Sequence, residues 1–263
     1  MDTPVFFDSH AHYFDDRFEK YEGGAEAAIR DAFDLGIRYI LNAGTTPETS
    51  RAAIRLAETH DGLYAAAGLH PSDSHEISDA DLPSVLDEIR TLCTHEKIVA
   101  LGEIGLDYYW DDSQKDRQKS ILDVQLSMAE ELDLPVIIHD REAHGDTMDI
   151  LRAHPNVRGV LHSFSGSAEM ARQLLKNGWY ISFSGPITYK NARSLREVAA
   201  SVPLDRILIE TDAPYLPPEP HRGKINFSGY LPFTANAVAD IKERPLEEIA
   251  RQTTENAKAL FGL

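Results

Sequence analysis

The 263-residue chain has a single cysteine, Cys93. One thiol excludes an internal disulfide and a cysteine-rich zinc site, and it suits a reducing compartment. Its position in a predicted helix reads as a small apolar residue. Long apolar runs are missing too. None approaches the ~18 residues of a membrane span, so no membrane partner is expected. The opening MDTPVFFDSHAHYF lacks the basic segment and apolar stretch of a signal peptide, and a cytoplasmic location is the expectation. Positive charge is scarce: 26 Lys and Arg stand against 43 Asp and Glu, a formal net charge of −17. That excludes a broad basic surface for nucleic acid, so a polyanionic ligand would need positive charge concentrated at its site. No linker, charge block, low-complexity segment or internal repeat divides the chain, and residues 1–263 read as one domain. No obligate protein partner is evident.

What is there alternates. Apolar, β-rich runs are followed by helical patterns, the signature of repeated βα units on a parallel sheet. Strands are predicted at VFFDSHAH (5–12), RYILNAGT (38–45), LYAAAGLHP (63–71), VALGEIGLD (99–107), VIIHDR (136–141), VLHSFSG (160–166), WYISFSGP (179–186) and ILIETDAPY (207–215). Helices are predicted at 24–35, 47–60, 79–93, 115–132, 144–153, 168–177, 191–200 and 232–260, the last broken near Pro245. Eight units in about 250 residues give an α/β fold, a single-domain TIM-type (β/α)8 barrel. The longest irregular stretch, 213–231, follows the last strand and begins beside a candidate site residue, which favours a functional loop.

Six side chains that bind divalent metals sit where these runs end: His10, His12, Glu103, His139, His162 and Asp212. In a parallel barrel the carboxyl ends of the strands converge on one site, which points to a metal-dependent hydrolase. His10 and His12, two apart on a strand, face the same way and can share an ion. Glu103 lies between glycines that permit close approach, and its two oxygens could bridge two cations; a salt bridge in the barrel mouth is the alternative. Asp107 is a supporting carboxylate or a turn residue. His139 and His162 end apolar strands, an environment that favours neutral imidazole as ligand. Asp212 can bind metal and accept a proton from water, while Glu210, two residues deeper, is read as a supporting carboxylate. Among the other histidines, His60, His95 and His154 fall near helix ends, and His75 and His144 read as solvated. His70 ends the third strand and is expected to contact substrate or to cap the barrel. Arg141, Arg222 and Lys224 are candidate phosphate ligands, or else ordinary surface cations. Tyr108, Tyr109 and Trp110 either stack on bases or pack the rim.

Taken in order, VFFDSHAH, GLHP, GEIGLDYY, VIIHDR, HSFSG, ETDAPYL, PHRGK and TTENAKALFGL resemble the TatD family of metal-dependent deoxyribonucleases in the amidohydrolase superfamily. The resemblance covers essentially the whole chain. It implies a binuclear centre holding two divalent ions (Zn, Mg or Mn). By position, His10, His12, Glu103 and Asp212 would hold one ion, and Glu103, His139 and His162 the other. It also implies cleavage of DNA phosphodiesters; the expectation is an exonuclease, with single-stranded DNA as substrate and Asp212 as the base that takes a proton from water. The chain departs from the family after His-Arg-Gly-Lys: Asn226, Phe227 and Ser228 stand where many members have Asn-Glu-Pro, so loop geometry or substrate preference is expected to differ. Two other readings stay open. One is hydrolysis of another ester or amide, such as aminoacyl-tRNA, because a metal pair also polarises carbonyls. The other is a metal-stabilised scaffold without catalysis.

Overall fold

The structure, a computed structural model, describes residues 4–110 and 112–263. Among these residues eight strands form one parallel sheet in sequential order. They are β1 (Phe6–Ala11), β2 (Ile37–Ala43), β3 (Leu63–Ala67), β4 (Ile98–Asp107), β5 (Val136–Arg141), β6 (Gly159–Leu161), β7 (Tyr180–Phe183) and β8 (Ile207–Ile209). The last strand returns to the first: Ala11 bridges Ala213, the Asp212 N–H donates to His10 O at 2.9 Å, and the His12 N–H donates to Ala213 O at 2.7 Å. The α-helices are α1 (Gly24–Asp34), α2 (Pro47–Thr59), α3 (Pro71–Ser74), α4 (Leu82–Leu92), α5 (Lys115–Leu132), α6 (His144–Ala153), α7 (Ala168–Lys176), α8 (Arg193–Ser201), α9 (Leu231–Lys242) and α10 (Leu246–Phe261). The architecture is the expected TIM-type (β/α)8 barrel.

Local chemistry sets the helix ends. Thr46 and Thr49 form a reciprocal capping box with Pro47 in the first turn of α2, and the Ser167 hydroxyl accepts the Met170 N–H at the start of α7. The predicted helix over 232–260 divides at Pro245, as the missing proline N–H requires, into α9 and α10. The short α3 was not foreseen. Two strands stop well short of their apolar runs. β6 ends at Leu161 and β8 at Ile209, because the backbone beyond leaves the sheet to form the rim.

Side-chain alternation sorts the strand residues into two layers. Ile138, Leu161, Ile207 and Ile209 pack outward under the helices. Phe7, Leu41, Ala66, Ile137, Val160 and Leu208 fill the barrel interior, joined by Ala257, Leu260 and Phe261 from the end of α10. The Phe261 ring lies 6.0 Å from Phe7, so the C-terminal helix closes the bottom of the barrel and the functional groups gather at the opposite mouth.

Candidate metal centre

The parity that buries Ile137, Val160 and Leu208 turns His139, His162 and Glu210 inward two residues later, where the interior meets the mouth. Glu103 reaches the same level from β4, whose neighbour Gly105 pairs with His139. A Cβ on Gly105 would overlap the His139 carbonyl, so the expected close approach is real and only glycine permits it. Asp212 sits just past β8 with φ 58°, a left-handed conformation, and presents its carboxylate to β1.

All six candidates converge. Glu103 divides its carboxylate between two groups of imidazoles. Oε1 lies 2.9 Å from His139 Nδ1 and 2.9 Å from His162 Nε2. Oε2 lies 3.4 Å from His10 Nε2 and 3.6 Å from His12 Nε2. Asp212 Oδ1 stands 3.4 Å from His12 Nε2 and 3.8 Å from His10 Nε2, and those two nitrogens are 3.0 Å apart. His10, His12 and Asp212 together offer a compact donor set for a cation.

Outer hydrogen bonds fix which nitrogen faces inward in His12, His139 and His162. His12 Nδ1 donates to Ala43 O at 2.8 Å, His162 Nδ1 to Glu210 Oε1 at 3.2 Å, and His139 Nε2 to Asp107 Oδ2 at 3.0 Å. Their inner nitrogens therefore point lone pairs at carboxylate oxygens in a buried pocket, a repulsive arrangement unless a cation lies between. The donor set suits a divalent metal: ligand atoms about 3.3 Å apart match a tetrahedral ion with ~2.0–2.1 Å bonds. Without metal, protons must supply the positive charge. Burial disfavours the His162 imidazolium, but Glu103 and Glu210 outweigh it and raise its pKa well above the usual value. Burial would likewise raise Glu103, yet His162, His70 and His10 hold its carboxyl well below the normal range. Asp212 is also held down, its burial overcome by the bond to His12 and the charge of His162. Burial and the neighbouring His162 push His10 the other way, disfavouring its protonated form.

Glu210 is a support: Oε1 accepts the Ser163 N–H at 2.7 Å as well as His162, and Oε2 accepts the Ser182 hydroxyl at 2.6 Å. Asp107 fills both roles considered for it, holding His139 with one oxygen and accepting the Tyr109 and Trp110 N–H groups with the other. His70 joins the cluster with Nε2 3.4 Å from Glu103 Oε1. Its Nδ1 accepts the Ser72 N–H, so Nε2 carries the proton and faces the site. Arg141 lies at the mouth of a cavity of about 460 Å³ that opens beside His139, His162 and Asp212. Its guanidinium is 4.0 Å from the Tyr109 ring and 5.5 Å from Trp110. Those two rings are 50% and 69% exposed, whereas Tyr108 packs on the rim and donates to Asp146 at 2.7 Å. Arg222 lies 4.5 Å over the Tyr189 ring and Lys224 is exposed on the same loop.

Two sequence readings need correction. His75 and His144 are not merely solvated, since His75 meets the Gln118 amide at 3.1 Å and His144 bonds Asp140 Oδ2 at 2.8 Å. Sequence reasoning also missed two glutamines. Gln118 bonds both backbone groups of Asp107, and Gln125 both backbone groups of Leu69. Seven residues apart on α5, they share its buried face and hook the ends of β4 and the β3 loop, fixing Asp107 and His70. Polar residues at that spacing on a buried face were the available signal.

A family model described as TatD related DNase matches residues 7–262. The uncharacterized metal-dependent hydrolase YabD of Bacillus subtilis (strain 168) is 44% identical over 261 residues, covering 98% of this chain and 100% of its own. YcfH of Escherichia coli (strain K12), also named an uncharacterized metal-dependent hydrolase, is 38% identical over 258 residues, covering 97% and 95%. The crystal structure of YjjV, a TatD homolog from Escherichia coli K12, superposes with a TM-score of 0.89 at 35% identity, covering 98% of each chain. With this match along nearly its whole length and imidazoles and carboxylates gathered at one barrel mouth, the chain belongs to the TatD family of metal-dependent hydrolases.

Proposed function

We propose that this chain hydrolyses phosphodiester bonds of DNA, acting as an exonuclease on single strands with two divalent ions. The observation that carries the reading is the division of the Glu103 carboxylate, one oxygen toward His139 and His162 and the other toward His10 and His12. In this reading His10, His12, Glu103 and Asp212 hold one ion, while Glu103, His139 and His162 hold the second. Zn²⁺, Mn²⁺ and Mg²⁺ all suit this mixture of donors. Bound there, divalent cations supply positive charge to phosphoryl oxygens and make water more acidic.

The remaining steps belong to the protein. Asp212, kept ionised by His12 and His162, lies at the cavity wall and takes the proton from the attacking water through its carboxylate. Arg141 at the same cavity presents a forked donor to a phosphate. His70 offers its Nε2 proton to a substrate oxygen. Tyr109 and Trp110, exposed beside Arg141, offer faces on which bases stack with little sequence preference. Arg222 and Lys224 meet phosphates farther from the reacting bond. The description of the matching family model as a DNase supports DNA as substrate.

The test replaces Asp212 with Asn and measures metal-dependent release of nucleotides from single-stranded DNA, beside aminoacyl-tRNA and small carboxylic esters. Metal-dependent nucleotide release by wild type and its loss in a folded Asp212→Asn variant are expected. Wild-type turnover of the esters alone would move the chain to another hydrolase class, and undiminished DNA cleavage by the variant would remove Asp212 as base.

A further inference from the structure

In a chain of net charge −17, cations gathered beside the candidate site need a reason. The connection from β7 into α8 supplies such a group. Asn191, Ser194 and Leu195 line the cavity that also holds His162 and Asp212. Lys190, Arg193 and Arg196 of the same short segment line an adjoining depression on its other side. The segment is thus a rim about one helix wide, ~10 Å, with the reaction centre on one side and three cations on the other. Arg196 is committed, its guanidinium donating to the carbonyls of Ile187 and Thr188. Lys190 is exposed. Among the described residues Arg193 pairs with Glu197, at 3.0 Å, through side chains 91% and 64% exposed; such a surface pair is worth little and exchanges readily for a phosphate. Arg222, stacked on Tyr189, adds charge next to Lys190 in sequence.

The cavity has the chemistry of a nucleotide site. Phe164, Pro186 and Leu195 give it apolar surface, while Ser184, Ser194 and Asn191 offer hydroxyls and an amide. Its volume of about 460 Å³ lies in the ~300–1,000 Å³ range of small-ligand sites. It cannot contain a longer strand, and the start of α8 offers the remainder a route over the rim.

We propose that Lys190 and Arg193 grip backbone phosphates of a single-stranded polynucleotide that passes from the Glu103 cluster through this cavity and over the start of α8. The assignment rests on the phosphodiesterase reading above and adds a path for the strand. A salt-dependence slope of ~0.7 per phosphate on a single strand makes each contact worth about fivefold at 0.1 M relative to 1 M salt, roughly 25-fold for two.

The experiment measures fluorescence anisotropy of labelled oligothymidylates of two and twelve nucleotides on the Asp212→Asn protein in the presence of divalent metal, gel electrophoresis after each titration verifying that the oligonucleotides are intact. It is repeated with Lys190→Ala/Arg193→Ala and with Lys190→Arg/Arg193→Lys added, folding being checked by circular dichroism. The alanine pair is expected to weaken the twelve-mer by roughly 25-fold, lower its salt slope by about 1.4 and leave the two-mer unchanged, while the charge-retaining pair binds as the parent. Equal twelve-mer affinity and slope in parent and alanine pair, a parent that binds both lengths alike, or equal loss in both pairs would each overturn the path. Turnover of bis(4-nitrophenyl) phosphate by wild type is measured separately. Its absence would sink the phosphodiesterase reading while the binding arms still judge the path.

Discussion

Glu103→Gln is the sharpest perturbation of the cluster, because it changes one atom and one charge while preserving shape. In the wild-type structure Oε1 serves His139 and His162 at 2.9 Å each, and Oε2 serves His10 and His12 at 3.4 and 3.6 Å. A glutamine has one acceptor oxygen, so it can face only one pair; its NH2 must confront the other, where lone pairs or a cation await. Removing the anionic partner of a buried cation costs about 3–5 kcal/mol. At 1.36 kcal/mol per tenfold, one ion should bind about two to four orders of magnitude more weakly. Plasma mass spectrometry of dialysed protein, with titration calorimetry, should find one divalent ion fewer per folded chain and no turnover. Wild-type ion content and affinity in Glu103→Gln would refute the bridging role.

Glu210→Gln, which disturbs the group holding His162 Nδ1 and Ser163 N–H, should weaken metal binding by about 10–100-fold; unchanged affinity would show that this support is dispensable. Metal loading should release protons and weaken as pH falls through the raised pKa of His162, and calorimetry in two buffers of different ionisation enthalpy reads this directly. In the metal-free chain the signs oppose one another. The contribution of His162 is complete below its ordinary 6.5 and fades as pH rises through the raised value, whereas that of Glu103 is complete above its ordinary 4.5 and fades as pH falls through the depressed one. Metal-free melting temperature should therefore be highest between these ordinary values, and a monotonic rise through neutral pH would contradict the assignment. Chelation should destabilise the protein by about 2.7 kcal/mol if wild type was held at 100 times the dissociation constant, roughly 5–10 °C in Tm by differential scanning calorimetry; an unshifted Tm would mean no metal stabilises the fold. Ser228→Ala removes a donor to Asp8 at 2.6 Å and the acceptor of the Tyr13 hydroxyl at 2.9 Å and should cost about 1.5–3 kcal/mol in urea unfolding, an expectation that an unchanged midpoint would defeat.

Much of the centre was legible because two one-dimensional signals coincide. An apolar run fixes a strand, and a histidine or carboxylate ending it must lie at the mouth, so His139 and His162 could be placed from VIIHDR and VLHSFSG. Glu103 was legible from its flanking glycines, which serve no purpose in a strand unless something approaches closely, as His139 does. What stayed hidden depends on contacts between distant segments. No local pattern says that Gln118 and Gln125 hook the neighbouring strand ends, or that Glu210 orients His162. The split of the aromatic triplet into one packed ring and two exposed ones depends on Asp146, 38 residues away. Arg222 and Lys224 show the limit from the other side: the motif names them, but the long loop carries Arg222 to Tyr189 and leaves Lys224 exposed, positions set by its anchoring.

That anchoring lies in Asn226, which the chain shares with its family's pattern, and in Phe227 and Ser228, where it departs from it. The Asn226 side-chain amide donates to Thr211 O at 2.8 Å and Tyr215 O at 2.6 Å, tying the loop to the segment that carries Asp212. Phe227, where the pattern has an acid, is buried against Tyr21 and Tyr230 with ring centroids 5.3 and 4.6 Å away, so it fills space between α1 and the loop and brings no charge to the cluster. Ser228 donates to Asp8, whose carboxyl burial pushes up to about 7 against the hydrogen bonds from Ser228 and Thr211. Asp8 sits two residues before His10 on β1. The loop is therefore pinned to the strand that presents His10 and His12 and to the segment that presents Asp212, through contacts that leave all six side chains of the cluster in place. Phe227 and Ser228 therefore bear on how the loop is held, while the imidazoles and carboxylates of the cluster are positioned by the barrel strands and their ends.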